Sequence, residues 1–394
     1  MSLTCYVRRA AAACLALAAI VPAGAWAQEK IKIGVVGQFS GPFALVGQNY
    51  KDGIQAFLSA YGTKVGGRDV EIVYRDIGGT NASAAKRLTE ELIVRDQASI
   101  VAGFYLSPES IAAAPVLTET NTPGVVFNGA AKVITEASPM IVRVSNTQFQ
   151  VGHVQAEWAI KNGHKRAYLS VSDFAPGHDL LAAFKKRYAE LGGQVVGEDK
   201  IPLNTVDYSP FVERVARANP SLMVMFIPGG APSVNMTKAL QAQGLARRKD
   251  LAIIGQVQLD EPVLHLFDDS VVGMFDALSY AIEAPGAENQ KYKAALLRTA
   301  GAKAIPNYDA ASAWDGMLVA YKMIASQQGK KFDGPSAVKA VLGFQTEGAK
   351  GPITIEPDTR NLTLAIYIRK AVKGPDGKLK LEVSDTFRDV KSLP

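Results

Sequence analysis

Short apolar runs typical of β-strands alternate with helical segments between residues 31 and 127. The first run, residues 31–36, is rich in β-branched side chains and precedes a helical segment at 49–60. Further pairs follow at 69–95 and 99–120, and Asn81 is the predicted N-cap of the helix in the first of these pairs. Because each strand is followed by a helix, we expect a parallel sheet with helices on both faces.

A second series of the same kind follows, between residues 148 and 275, and its last strand is predicted at 271–275. Three helical segments then occupy 288–341, and strands return between 352 and 384. A chain of 394 residues is also longer than one core usually supports. We therefore predict an α/β fold of two similar, doubly wound lobes with a ligand cleft between them.

The late helices are expected to complete the first lobe, and the terminal strands the second. The chain then crosses between lobes three times, near Val144, Tyr280 and Gln345. The predicted N-terminal lobe comprises residues 28–144 and 280–345, and the predicted C-terminal lobe comprises residues 145–279 and 346–394. These crossings predict a hinge.

The first 27 residues have the pattern of a signal peptide. Arg8 and Arg9 precede an apolar run at 10–21, and the small-residue cleavage motif AWA ends at 27. We expect the mature chain to begin near Gln28 and to be periplasmic. Both cysteines lie in the removed segment, so the mature chain is expected to contain no disulfide.

Other classes of function find little support. The sequence contains no GxSxG, HExxH or CxxC motif, and its four histidines lack metal-ligand spacing. We expect no enzyme activity, no catalytic residue, no cofactor and no metal. The net charge of +6 is spread along the chain, so no nucleic-acid partner is expected. No apolar run after Val21 approaches the roughly 20 residues that span a bilayer.

The turn after the first strand contains Gly37, Ser40, Gly41 and Pro42. Open α/β sheets bind ligands at the carboxyl ends of their strands, so its backbone amides are candidates for ligand contact. Taken alone, these residues favour an ordinary strand-to-helix loop over a ligand site, because no phosphate-binding glycine motif is present.

The residues themselves resemble the type I periplasmic solute-binding proteins that serve branched-chain amino acid ABC importers. The resemblance covers nearly the whole mature chain and rests on IKIGVVGQFSGPFALVGQNYKDGIQAF at 31–57, RDIGGTNASAAKRLTEELI at 75–93, VAGFYLSPESIAAAPVLTETNTPGVVFNGAAKVIT at 101–135, SDFAPGHDLLAAFKKRYAELGGQVVGEDKIPLNTVDYSPFVERV at 172–215 and YDAASAWDGM at 308–317. It implies a freely diffusing, monomeric binding protein that captures a small carboxylate and delivers it to a membrane permease. An extracytoplasmic sensor of the same fold is the alternative.

The resemblance also implies ligand contacts on the first lobe. Ser107 matches the serine that holds a ligand carboxylate, and a helix N-terminus at this point suits an anion; a plain helix cap is the alternative. The implied first-lobe residues are Phe43, Ala44, Tyr105, Ser107, Asn128, Gly129 and Ala130.

On the second lobe, the resemblance implies closing contacts from Phe174, Ala175, Gly229 and Gln256. Amino-acid binders commonly carry an acid on the last of these loops, where this chain has Gln256 to Gln258. Burying an ammonium without a counter-charge is costly. We therefore expect a carboxylate without an α-ammonium, such as an aromatic or branched acid, unless Asp260 or Glu261 supplies the charge.

Overall fold

The structure is a computed structural model that describes residues 30–256 and 259–392. The predicted signal peptide, the predicted start near Gln28, and Val257 and Gln258 lie outside these residues. Two β-sheets organise the chain, one of six strands and one of nine.

The first sheet has the strand order β2-β3-β1-β4-β5-β6, and only the short β2 is antiparallel to its neighbour. Ile33 of the central strand pairs with Ile72 on one side and Ile100 on the other. These apolar runs are buried under helices on both faces, as parallel sheets require. The strands are β1 (Ile31–Gly37), β2 (Lys64–Val65), β3 (Arg68–Asp76), β4 (Ala98–Gly103), β5 (Gly124–Val126) and β6 (Ile141–Arg143).

The second sheet repeats this order in its parallel part, β8-β7-β9-β10-β11, and adds an antiparallel C-terminal part. The repetition confirms the predicted pair of similar α/β lobes. Its strands are β7 (Arg166–Ser172), β8 (Gln194–Ile201), β9 (Leu222–Phe226), β10 (Ala252–Gly255), β11 (Phe275–Leu278), β12 (Gln345–Gly348), β13 (Gly351–Ile355), β14 (Leu362–Lys373) and β15 (Leu379–Val390).

Helices connect the strands and cover both sheets. Asn81 caps the second helix by accepting a hydrogen bond from the Ala84 amide, as predicted from its position. The helices are α1 (Ala44–Tyr61), α2 (Ala82–Val94), α3 (Ser107–Glu119), α4 (Val133–Glu136), α5 (Gln148–Lys161), α6 (Ala175–Glu190), α7 (Ser209–Ala218), α8 (Ala231–Ala242), α9 (Ala287–Ala300), α10 (Tyr308–Ser326) and α11 (Gly334–Lys339). No helix in the described ranges is both long and apolar enough to cross a membrane.

One strand begins later than predicted. Residues 271–275 were expected to be extended, but Asp269–Val271 forms a 3-10 turn and β11 begins at Phe275. The Asp268 side chain stabilises this turn by accepting a hydrogen bond from the Ser270 amide. This local cap competes with the strand pattern.

The chain passes between the sheets after β6, after β11 and before β12. Polar contacts join the first passage to the second and to the turn between β12 and β13. Lys350 donates to the main-chain oxygen of Val144 at 2.8 Å and lies 3.4 Å from Asp315, with both charged side chains fully buried. Asn146 accepts a hydrogen bond from Ser279 at 2.9 Å. These connected segments form the hinge between the lobes.

Candidate functional site

A cleft between the two sheets lies where the carboxyl ends of both sets of parallel strands meet. Its lining residues come from both lobes and from the hinge. They are Tyr105, Leu106, Ser107, Asn128, Ala130, Gln148, Phe174, Pro176, Phe226, Pro228, Gln256 and Tyr308.

Ser107 begins α3 and is almost fully buried. Its hydroxyl oxygen accepts hydrogen bonds from the amides of Ala130 and Ala131, each at 3.1 Å. Because two N–H groups occupy the oxygen lone pairs, the hydroxyl hydrogen is left to donate. Ser107 is therefore fixed as a hydrogen-bond donor at a helix N-terminus, which is suited to an anion.

The Glu109 side chain contacts the start of the same helix. Its buried carboxylate accepts a hydrogen bond from the Leu106 amide at 3.1 Å and another from the Gln38 side chain. Burial raises the pKa of Glu109 to about 7. Near neutral pH this carboxyl therefore carries less negative charge than an exposed glutamate would, which limits repulsion of an anionic ligand.

Arg143 orients the loop that follows β5. Its buried guanidinium donates to the main-chain oxygens of Gly129 and Ala131 at 3.1 and 2.6 Å, and also to the Asn361 side chain. Carbonyl and amide groups point in opposite directions across a trans peptide. Holding these two oxygens therefore turns the Ala130 amide toward Ser107. Burial lowers the pKa of Arg143 to about 10, so it remains a cation at neutral pH.

Asn128 takes part in a buried network beside the cleft. Its side-chain oxygen accepts from the Tyr50 hydroxyl at 2.9 Å, and its nitrogen donates to Asp309 at 2.8 Å. Burial raises the pKa of Asp309 to about 7, and the negative charge of Asp260 adds to this. The network fixes the orientation of Asn128 at the cleft wall.

The second-lobe side of the cleft combines aromatic rings with amide groups. Phe174 and Phe226 stack with ring centroids 5.8 Å apart and planes inclined by 14°. The Gln148 side-chain nitrogen donates to the Gln256 side-chain oxygen. The Gln148 side-chain oxygen is buried and has no hydrogen-bond partner among the described residues. A ligand hydroxyl could satisfy it.

Six sequence-predicted residues line the cleft together, namely Tyr105, Ser107, Asn128, Ala130, Phe174 and Gln256. The structure places the other five just outside it. Phe43 packs behind Tyr105, with ring centroids 5.4 Å apart. Gly129 faces Ile134 and Ser110, so its small size serves close packing.

The remaining three of these five residues belong to neighbouring turns. Ala44 begins α1, and Ala175 begins α6 while the next residue, Pro176, reaches the cleft. The Gly229 main chain hydrogen bonds with the Tyr105 hydroxyl, so it joins the lobes without lining the cleft.

Sequence reasoning did not name six lining residues: Leu106, Gln148, Pro176, Phe226, Pro228 and Tyr308. Phe226 ends β9 and Pro228 follows it, so the rule that ligands bind at strand carboxyl ends could have identified both. Gln148 begins α5 just after the first passage between the sheets, and Tyr308 begins α10, which follows α9. No local motif marks that role.

None of the lining residues carries a formal charge. Asp260 and Glu261, the alternative counter-charges for an ammonium, turn instead toward Arg369. This buried guanidinium lies 3.0 Å from Glu261, 3.5 Å from Asp260 and also pairs with Asp276. Within residues 30–256 and 259–392, no cluster of histidine, cysteine or acidic side chains is arranged to hold a metal ion.

Comparison with known proteins identifies the family of this chain. The family model described as "Periplasmic binding protein" matches residues 30–377. The Leu/Ile/Val-binding protein homolog 6 of Brucella melitensis biotype 1 is 35% identical over 382 residues, which cover 97% of each chain.

Two solved structures from Rhodopseudomonas palustris are also similar. The solute-binding protein of an ABC transporter from strain HaA2, in complex with p-hydroxybenzoic acid, is 36% identical with a TM-score of 0.88, and the match covers 92% of this chain and 98% of that one. The corresponding protein from strain BisB5, in complex with 3,4-dihydroxybenzoic acid, is 34% identical with a TM-score of 0.86 and the same coverage. This chain therefore belongs to the type I periplasmic binding proteins, the solute-binding components of ABC transporters.

Proposed function

We propose that this protein captures a small aromatic carboxylate of the hydroxybenzoate class in the periplasm and delivers it to an ABC permease. The observation that carries the proposal is the uncharged cleft lining, which combines the Ser107 donor with stacked aromatic rings. The carboxylate would meet Ser107 at the start of α3. The ring would lie against Phe174 and Phe226.

The lack of a lining carboxylate argues against a zwitterionic ligand. An α-amino acid would bury its ammonium in this cleft without a counter-charge, which costs several kcal/mol. A curated relative is described as a Leu/Ile/Val-binding protein homolog, whereas two solved relatives hold hydroxybenzoic acids. The cleft chemistry favours the acids.

Capture proceeds by hinge closure between two lobes, residues 28–144 with 280–345 and residues 145–279 with 346–394. The ligand first contacts Ser107 and Asn128 on the first lobe, and Phe174 and Gln256 of the second lobe then close over it. The protein acts as a monomer, exported by its N-terminal signal peptide, and releases the ligand chemically unchanged.

A thermal-shift screen tests the proposal. Benzoate, 4-hydroxybenzoate, 3,4-dihydroxybenzoate, branched keto acids, leucine, isoleucine and valine are added singly to the purified protein. A ligand that binds the folded state raises the melting temperature. We expect the aromatic acids to give the largest shifts. Shifts confined to the amino acids would contradict the proposal.

A further inference from the structure

The loop that carries Ala130 also contacts the second lobe directly. The main-chain nitrogen of Lys132 donates a 2.7 Å hydrogen bond to the Asp179 carboxylate. Lys132 precedes α4 of the first lobe, whereas Asp179 lies in the second turn of α6, which covers the second sheet. The bond therefore joins the two lobes outside the cleft lining.

Two main-chain amides of this loop donate to different partners, one to Ser107 at the cleft and one to Asp179. Arg143 holds the Gly129 and Ala131 oxygens, so the following amides, of Ala130 and Lys132, point away from it. The first reaches Ser107 and the second reaches Asp179. The ligand-binding serine and the contact between lobes thus depend on one rigid segment.

The electrostatic surroundings favour this contact. Burial raises the pKa of the Asp179 carboxyl, but the positive charges of Arg143 and Lys132 oppose this shift, and the carboxylate accepts from a main-chain amide. Hydrogen bonds to ionised acceptors are stronger than neutral ones. Asp179 is also partly buried, so solvent competes less for the bond.

We propose that Asp179 is a closure latch: it determines ligand affinity without touching the ligand, because its hydrogen bond to the Lys132 amide forms when the lobes close. The inference rests on the proposed function in that it assumes hinge closure around a bound solute. Opening the hinge separates α6 from the first-lobe loop and breaks the bond. The bond therefore stabilises the closed, ligand-bound state alone.

The test compares Asp179→Ala, Asp179→Asn and Glu190→Gln by calorimetric titration with 4-hydroxybenzoate and with leucine. Asp179→Ala removes the acceptor, so we expect affinity to fall by roughly tenfold or more through faster dissociation. Asp179→Asn keeps an acceptor oxygen and should restore part of the affinity. Glu190→Gln changes a charge at the far end of the same helix and should bind like the wild type.

A second readout separates a latch from a general structural role. Without ligand, Asp179→Ala should melt at the wild-type temperature, because the open form lacks the bond. Wild-type affinity in Asp179→Ala, or a loss of affinity accompanied by a lower melting temperature without ligand, would overturn the latch. Titration with either 4-hydroxybenzoate or leucine can test the latch, because Asp179 does not touch the ligand. Only the ranking of the two probes in the wild type reports on the proposed ligand class.

Discussion

The hydroxyl oxygen of Ser107 accepts a 3.1 Å hydrogen bond from the Ala130 amide, which leaves the hydroxyl hydrogen directed to another acceptor. If that acceptor is a ligand carboxylate, Ser107→Ala removes a hydrogen bond to a charged group. We expect binding of 4-hydroxybenzoate to weaken by roughly 1 to 3 kcal/mol, measured by calorimetry.

Ser110→Ala is the matched control for this substitution. Ser110 lies one turn further along α3, is equally buried and does not line the cleft. Its replacement should leave the affinity close to that of the wild type. Equal affinities for wild type and Ser107→Ala would exclude a carboxylate contact at this position.

Gln256→Glu tests the charge of the cleft. An added carboxylate repels a bound carboxylate in a desolvated site, so we expect affinity for 4-hydroxybenzoate to fall by about tenfold or more. The same substitution supplies a counter-charge for an ammonium and should improve leucine binding. Competition calorimetry measures both ligands.

Gln194→Glu adds the same charge at an exposed position of the second lobe and provides the control. It should change neither affinity. If Gln256→Glu leaves the preference between the two ligands unchanged, Gln256 does not face the ligand.

Stability should respond to the titration of Glu109. Its pKa is raised to about 7 in the folded protein, from an ordinary value of 4.5, because burial favours the neutral form. The folded state therefore holds this proton more tightly than the unfolded chain. The resulting stabilisation is complete below about pH 4.5 and is lost as pH rises through 7.

Glu109→Gln keeps an acceptor oxygen but cannot ionise. Relative to this variant, the free energy of unfolding of the wild type should fall by about 3 kcal/mol between pH 4.5 and 7.5, measured with urea. Parallel stability curves for the two proteins would show that Glu109 titrates normally.

The hinge contains a buried ion pair that should be costly to break. Asp315→Ala leaves the buried Lys350 ammonium without its carboxylate partner, so we expect destabilisation of about 3 to 5 kcal/mol. Adding Lys350→Met removes the unpaired charge and should recover part of this loss. Urea unfolding of both variants measures the difference, and equal stability of single and double variants would contradict it.

Much of the fold could be predicted from patterns within short segments of the sequence. Strands such as Ile31–Gly37 contain consecutive β-branched residues, and Asn81 caps its helix by a bond to Ala84. The repeated strand–helix order was sufficient to predict two similar lobes. The turn at Asp269–Val271 was missed because a side-chain cap overrides the apolar pattern there.

Site residues such as Ser107 and Phe174 were predictable, because each lies in a sequence motif just after the end of a strand. Gln148 and Tyr308 were not predictable, because tertiary packing brings these two helix starts to the cleft from distant parts of the chain. Phe43 illustrates the converse. Its position in the turn suggested a cleft wall, but Tyr105 lies between it and the cleft, a packing relationship that one sequence does not encode locally.

The central claim is that an uncharged, partly aromatic cleft selects a carboxylate over a zwitterion. Calorimetric titration of the wild-type protein with 4-hydroxybenzoate and with leucine, under identical conditions, tests it most directly. We predict tighter binding of 4-hydroxybenzoate and its recovery chemically unchanged after prolonged incubation. Leucine binding about tenfold tighter than that of 4-hydroxybenzoate would contradict the claim, because the cleft would then accept a buried ammonium without a lining carboxylate.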